Sequence, residues 1–186
     1  MRVIAGEAKG HEIKVPNKSS IRPTTGLVRG AIFSILESMI DDWSLALDLY
    51  AGTGALGIEA LSRGTEWVDF VEQNSRHCST IEVNLRHTGF IDRSRVYCSS
   101  AAKAIASLDK RYNVVFIDPP YLDVDLDDIL GKLFASNLVG ACSVVALQHS
   151  YHQQAHSTYS DFFLAKTRKY GDTQVSIYQQ GEALCR

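Results

Sequence analysis

The apolar positions change period along the chain, and each change predicts a different element. From Arg2 to Val15, the short apolar stretches Val3-Ile4-Ala5 and Ile13-Lys14-Val15 flank Gly6 and Gly10, a pattern that predicts a small hairpin ended by Pro16. Beyond the polar run Asn17-Lys18-Ser19-Ser20, the residues Leu27, Ala31, Ile32, Ile35, Leu36 and Met39 recur at helical spacing. They predict a helix reaching about Ile40, with Thr24 or Thr25 as its cap. From Leu45 onward, short apolar runs alternate with amphipathic stretches. Strands are expected at 45–50, 67–71, 95–98, 114–117 and 143–147, and helices after Gly54 and over 75–87, 101–108 and 126–134. Repeated strand-then-helix order specifies an α/β domain with a mostly parallel sheet covered on both faces. The tail breaks the pattern: 162–167 and 174–178 read as two strands around Tyr170-Gly171-Asp172, which predicts an antiparallel hairpin at the sheet edge.

At 186 residues the chain suits one domain, with residues 1–24 as a hairpin and basic arm and 25–186 as the body. Hydrophobic residues make up 45% and charged residues 22%, which excludes disordered and membrane classes. No run reaches the roughly 18 to 20 apolar residues of a spanning helix, and the first residues lack the apolar core of a signal peptide, so a cytoplasmic protein is expected. Cys78, Cys98, Cys142 and Cys185 form no CxxC pair, and free, mostly buried thiols are expected. The net charge is only -2, but residues 1–31 carry Arg2, Lys9, Lys14, Lys18, Arg22 and Arg29 against Glu7 and Glu12. A basic arm on an acidic body can meet phosphates; solvated surface charge would look the same.

Candidate chemistry begins at Asp48-Leu49-Tyr50-Ala51-Gly52-Thr53-Gly54-Ala55-Leu56-Gly57, which leaves a strand and opens a helix with glycines spaced G-x-G-x-x-G. Such glycines allow a tight turn and a close approach of backbone N–H groups to a ligand. Glu72, at the end of the next strand, stands where a carboxylate accepts the hydroxyls of a ribose. A nicotinamide dinucleotide would use the same residues. Asp48 favours S-adenosylmethionine, because a carboxylate there repels a pyrophosphate and suits the ammonium group or the surroundings of a cationic sulfur. Gln73 and Asn74 are candidates for the adenine or ribose, although Asn74 equally suits a helix cap.

The buried strand 114–117 delivers Asp118-Pro119-Pro120-Tyr121 at its carboxyl end, where open parallel sheets bind ligands. Two prolines remove two N–H groups, which leaves the segment rich in acceptors. Acceptors at Asp118 and the Pro119 carbonyl could hold the hydrogens of an aromatic amine and aim its nitrogen lone pair, while Tyr121 offers a face for base stacking. No metal is needed. A base would have to be unpaired or flipped out to arrive there. His149, His152 and His156 share a helical spacing that could hold a metal, but solvated loop histidines are the simpler expectation. Asp123, Asp125, Asp127 and Asp128 read as the acidic start of a helix.

Taken together, these residues resemble the bacterial family that methylates N2 of one guanine in 16S ribosomal RNA. The likeness rests on Arg2-Val3-Ile4-Ala5-Gly6 with Lys9-Gly10, on Ile21-Arg22-Pro23-Thr24-Thr25 with Arg29 and Phe33, on the glycine loop through Ala60, and on Lys169-Tyr170-Gly171-Asp172-Thr173. It implies a Rossmann-like class I methyltransferase fold of seven strands, the last ones antiparallel. It also implies S-adenosylmethionine as cofactor, held by Asp48, Tyr50, Ala51, Gly52, Thr53, Gly54, Glu72, Gln73, Asn74, Ser100 and Ala101. The catalytic segment is Asp118, Pro119, Pro120 and Tyr121, and the RNA would meet Arg2, Lys9, Lys14, Arg22, Thr24, Thr25 and Tyr121. The expected partner is 16S rRNA within a small subunit or its assembly intermediate, with a neighbouring ribosomal protein able to help a monomeric enzyme. Gly26 and Gly30 stand where the family carries acidic residues, and Ser100 where a carboxylate meets the adenine amino group. A DNA adenine-N6 methyltransferase would share the tetrad, and a silent assembly factor would share the fold.

Overall fold

The computed structural model describes residues 1–16, 26–120, 125–153 and 155–181. Arg22, Thr24, Thr25 and Tyr121, and with them the expected cap of the first helix, lie outside the described residues. The helix α1 spans Gly26–Glu37. It is followed by β1 (Leu45–Leu49), α2 (Ala55–Ser62), β2 (Trp67–Glu72), α3 (Ser75–Thr88), β3 (Ser94–Cys98), α4 (Ala101–Ser107), β4 (Val114–Ile117), α5 (Leu126–Phe134) and β5 (Val144–Ser150). The chain ends in β6 (Thr158–Tyr159), β7 (Phe162–Tyr170) and β8 (Thr173–Gln180).

All eight strands form one sheet in the order β3-β2-β1-β4-β5-β8-β7-β6. The first five are parallel, and β5–β8, β8–β7 and β7–β6 pair antiparallel. This is the expected Rossmann-like arrangement with one strand more than the seven expected. The extra one, β6, is two residues long and too short to leave a pattern of period two.

Alternation along the strands explains why the sheet is covered on both sides. Ala46, Phe70, Phe116, Ala146 and Ile177 face α1, α2 and α3, whereas Leu47, Val71, Val115, Val145 and Tyr178 face α4 and α5. With both faces buried, the strands read as continuous apolar runs. The N-terminal hairpin packs Val3, Ala8 and Ile13 onto the α1 face. It pairs through a single antiparallel bridge, Arg2 with Glu12, supplemented by Val3 N to His11 O and Gly10 N to Val3 O. Glu59 on α2 anchors it by accepting Ile4 N and Ala5 N at 2.8 and 3.0 Å.

Two expectations need correction. His149 is not a solvated loop residue: β5 runs three residues beyond the expected Leu147, and His149 is buried there, its Nε2 3.0 Å from Ser176 Oγ. Burial lowers its pKa. Of these three histidines only His152 and His156 are exposed, and no metal-holding cluster exists among the described residues. The expectation of free thiols holds for Cys78 and Cys98, whereas Cys142 is disulfide-bonded; of these, Cys78 alone is buried. No helix among the described residues is long and apolar enough to cross a membrane.

Candidate functional site

From β1 the chain turns to β2 on one side and pairs with β4 on the other, so the strand order reverses between β1 and β4. At such a switch point the loops leave in opposite directions and open a crevice beyond the carboxyl ends of the strands. The glycine loop after β1 and the Asp118 segment after β4 border this crevice.

The loop is shaped by backbone conformations that its sequence permits. Gly52 and Gly54 have φ of +56° and +78°, a left-handed geometry that costs a glycine little. Tyr50 adopts φ +61° despite its side chain, a strained conformation of the sort found at functional loops. The third glycine of the motif serves packing instead. A Cβ on Gly57 would lie 2.3 Å from the Phe70 ring, so only glycine lets α2 lie this close to β2.

Asp48 and Glu72 hold the loop from two sides. Asp48 is buried, and its Oδ2 accepts Gly57 N at 2.9 Å. Burial pushes its carboxyl up to about 8, with the charges of Asp118 and Glu72 adding to the rise and the Gly57 hydrogen bond opposing it. Glu72 Oε2 accepts Gly52 N at 3.0 Å and Oε1 accepts Asn74 N at 2.8 Å. Each oxygen retains a lone pair, so the carboxylate can still take the two hydroxyls of a ribose. Beside it a cavity of about 240 Å³ is lined by Tyr50, Gln73, Ser100, Ala101, Asp128 and Ile129 among others. A diol acceptor next to a cavity walled by Tyr50 and Ala101 and edged by the polar groups of Gln73 and Ser100 fits a nucleoside. Ala51 and Thr53 are buried in the loop, and Thr53 O accepts Asn84 Nδ2. Asn74 caps α3, its Oδ1 accepting Arg76 N, and Ser100 caps α4 through Lys103 N. Their side-chain oxygens are thus engaged with helix ends.

On the other border, Asp118 is half-buried, Pro119 buried and Pro120 exposed. The Asp118 Oδ1 accepts a hydrogen bond from Nε2 of Gln148 at 2.8 Å. Sequence reasoning missed Gln148 because it ended β5 at Leu147, three residues early. The available signal was a lone amide directly after the apolar run Val144 to Leu147.

The basic arm is only partly what its composition suggested. Arg2, Lys9 and Lys14 are exposed. Lys14 stands near the crevice: Asn84 Oδ1 accepts Lys14 N, and Asn84 Nδ2 donates to both Lys14 O and Thr53 O. Arg29 is 1% exposed and ion-paired to Glu59, so it cannot serve phosphates.

The fold recurs in known proteins. "Putative rRNA methyltransferase YlbH" of Bacillus subtilis is 33% identical over 183 residues, covering 97% of this chain and 99% of that one. "Ribosomal RNA small subunit methyltransferase D" of Escherichia coli K12 is 28% identical, covering 98% and 93%. The solved structure of "Putative methyltransferase yhhF" from Escherichia coli superposes with a TM-score of 0.86 at 28% identity, covering 98% of both chains. The chain belongs to the family described as Conserved hypothetical protein 95, whose model matches residues 1–179.

Proposed function

We propose that this protein transfers a methyl group from S-adenosylmethionine to the exocyclic N2 amine of a guanine in 16S rRNA. It acts as a cytoplasmic monomer on the small ribosomal subunit or an assembly intermediate of it, where a ribosomal protein can assist recognition. The observation that carries this reading is the place of Asp118: an acceptor-rich Asp-Pro-Pro segment follows β4 at the switch point of the sheet, across from the glycine loop that follows β1. The names of the B. subtilis and E. coli relatives supply the ribosomal substrate.

Glu72 would hold the ribose hydroxyls, the backbone of Tyr50, Ala51, Gly52, Thr53 and Gly54 would wall the cofactor, and Gln73, Ser100 and Ala101 would border its adenine. When bound, S-adenosylmethionine supplies an electrophilic methyl group on a cationic sulfur. Asp48, buried beneath the loop, would shape the pocket by accepting Gly57 N.

The target nitrogen is a poor nucleophile because its lone pair is conjugated with the ring. Asp118 and the Pro119 carbonyl would accept its two hydrogens, which favours a pyramidal nitrogen whose lone pair leaves the ring plane. Asp118 then stands ready for the proton released when the nitrogen is methylated. Tyr121 would offer a face on which the base stacks, and Arg2, Lys9, Lys14, Arg22, Thr24 and Thr25 would approach the RNA.

The test is incubation with methyl-labelled S-adenosylmethionine and, separately, immature small subunits, free 16S rRNA and DNA, followed by nucleoside chromatography. Label in N2-methylguanosine from rRNA is expected. Label in N6-methyladenine of DNA overturns the reading, and cofactor binding without transfer to any substrate leaves only a binding role. Asp118→Ala should lower transfer more than tenfold while cofactor affinity stays within about threefold, because Asp118 contacts the amine and not the pocket.

A further inference from the structure

The amide of Gln148 is an expensive way to fill its place in the sheet. It lies at the carboxyl end of β5, only 5% exposed, directly opposite buried Val175 on β8 and beside the end of β4. Its Nε2 donates to Asp118 Oδ1 at 2.8 Å, and its Oε1, closed off from solvent, has no hydrogen-bond partner among the described residues. A buried acceptor left unmet costs stability, and an apolar side chain of the same length would avoid that cost. Packing therefore does not account for Gln148; what it contributes is the donor to Asp118. The orientation of the amide follows from chemistry: an ionised carboxylate only accepts, so the NH2 group must face Asp118 and the oxygen must face away.

A neutral donor is also the right choice at this place. Asp118 lies near buried Asp48, whose carboxyl is pushed up chiefly by burial, with the charges of Asp118 and Glu72 adding to the rise. A further carboxylate would add to the repulsion that already keeps Asp48 protonated, and a lysine would hold Asp118 so tightly as a salt bridge that it would answer poorly to an amine. The amide fixes the plane of the carboxylate and favours its ionised form without adding charge.

We infer that Gln148 is a positioning residue for the reaction: its Nε2–H holds Asp118 in the orientation, and in the ionised state, that the target amine requires. The inference rests on the proposed role of Asp118.

Gln148→Met keeps length and volume but removes the donor. Its urea midpoint should equal or exceed that of the wild type, because the unmet Oε1 is gone. Its cofactor dissociation constant should stay within about twofold. The kcat should fall about tenfold to a hundredfold with KM for the RNA nearly unchanged, since a misaligned acceptor is felt in the transition state. The acid limb of the kcat/KM profile should move up by about one pH unit, because Asp118 loses a hydrogen bond to its charged form. Gln148→Asn, one methylene short, should also lose kcat and share the shift. Unchanged kcat with an unmoved acid limb overturns the inference. So does a fall in kcat that merely parallels a fall in urea midpoint, which would make Gln148 a structural residue. Failure of the underlying reading looks different: Asp118→Ala would then remain active whatever Gln148 variants do.

Discussion

Arg29 on α1 and Glu59 on α2 face each other inside the protein, Nε to Oε2 3.5 Å apart, with side chains 1% and 0% exposed. The separation is within ion-pair range and too long for a hydrogen bond, and Arg29 Nη2 donates instead to the backbone oxygen of Arg2. Glu59 also accepts Ile4 N, Ala5 N and the Nε of Arg63. One buried carboxylate thus ties the N-terminal hairpin, the first helix and the cofactor-loop helix together.

Removing that carboxylate strands a buried guanidinium and two backbone N–H groups. Glu59→Ala should destabilise the protein by about 3 to 5 kcal/mol, the usual result of leaving one buried charge unpaired. Urea unfolding measures it. The double variant Arg29→Met, Glu59→Met should recover part of the loss, since neither charge is then buried, though Ile4 N and Ala5 N remain unmet.

A second prediction follows from Asp48. Its folded-state pKa is pushed up to about 8, above the ordinary value of 3.8, chiefly by burial, with the charges of Asp118 and Glu72 adding to the rise. Between these values the folded protein retains a proton that the unfolded chain releases. The stability that protonated Asp48 allows is complete below about pH 4 and is lost as pH rises toward 8. The slope from this group is at most about 1.4 kcal/mol per pH unit. Asp48→Asn should flatten urea midpoints measured across that window; an unchanged slope would mean that Asp48 titrates as an ordinary carboxylate.

The sequence announced most of this architecture because both faces of the sheet are buried. Val114 to Ile117 and Leu126 to Phe134 lie within the bounds that apolar period alone assigns. The other elements shift by a few residues at their ends, where hydrogen bonding, not hydrophobicity, decides. Glycine spacing located Gly52 and Gly54 because each needs a positive φ, and the acidic residue after the next strand located Glu72. What stayed hidden depended on partners distant in the chain. Arg29 looks like surface charge until Glu59 is placed against it. Gln148 looks like a loop residue until β8 pairs with β5 and Asp118 arrives from β4.

Gly57 permits a packing prediction. A methyl group at this position would meet Phe70 Cε1 at 2.3 Å and Val68 Cγ1 at 2.9 Å, both fully buried side chains of β2. Gly57→Ala should therefore cost about 1 to 3 kcal/mol by overpacking. Because α2 would have to move away from the sheet, the Gly57 N–H to Asp48 contact would lengthen with it. Cofactor affinity, measured by calorimetry, should fall alongside the urea midpoint. A stability loss with unchanged affinity would show that the loop does not depend on the depth of α2.

The last prediction concerns how RNA reaches Asp118. Strand register continues the site across the sheet: Gln148 lies opposite Val175 on β8, and Val175 lies opposite Arg168 on β7. Arg168 and Lys169 are exposed, and Lys169 Nζ sits 3.2 Å from the centre of the Tyr151 ring, itself 47% exposed just past the end of β5. These cations and this aromatic ring lie at the same end of the strands as the proposed target pocket, on the opposite side from Lys14. A single-stranded RNA crossing the crevice would meet phosphate-binding charge at both rims and a stacking surface at one. Arg168→Gln and Lys169→Gln should each reduce the slope of log affinity against log salt by about 0.7 to 0.9. Tyr151→Ala should weaken binding by about 1 to 3 kcal/mol with little change in that slope, because stacking releases no counterions. All three should leave cofactor affinity and saturated kcat near the wild type, since none touches Asp118 or Glu72. Filter binding of rRNA fragments between 50 and 200 mM salt reads these effects. Wild-type affinity and slope in all three would place the RNA path on the N-terminal arm alone.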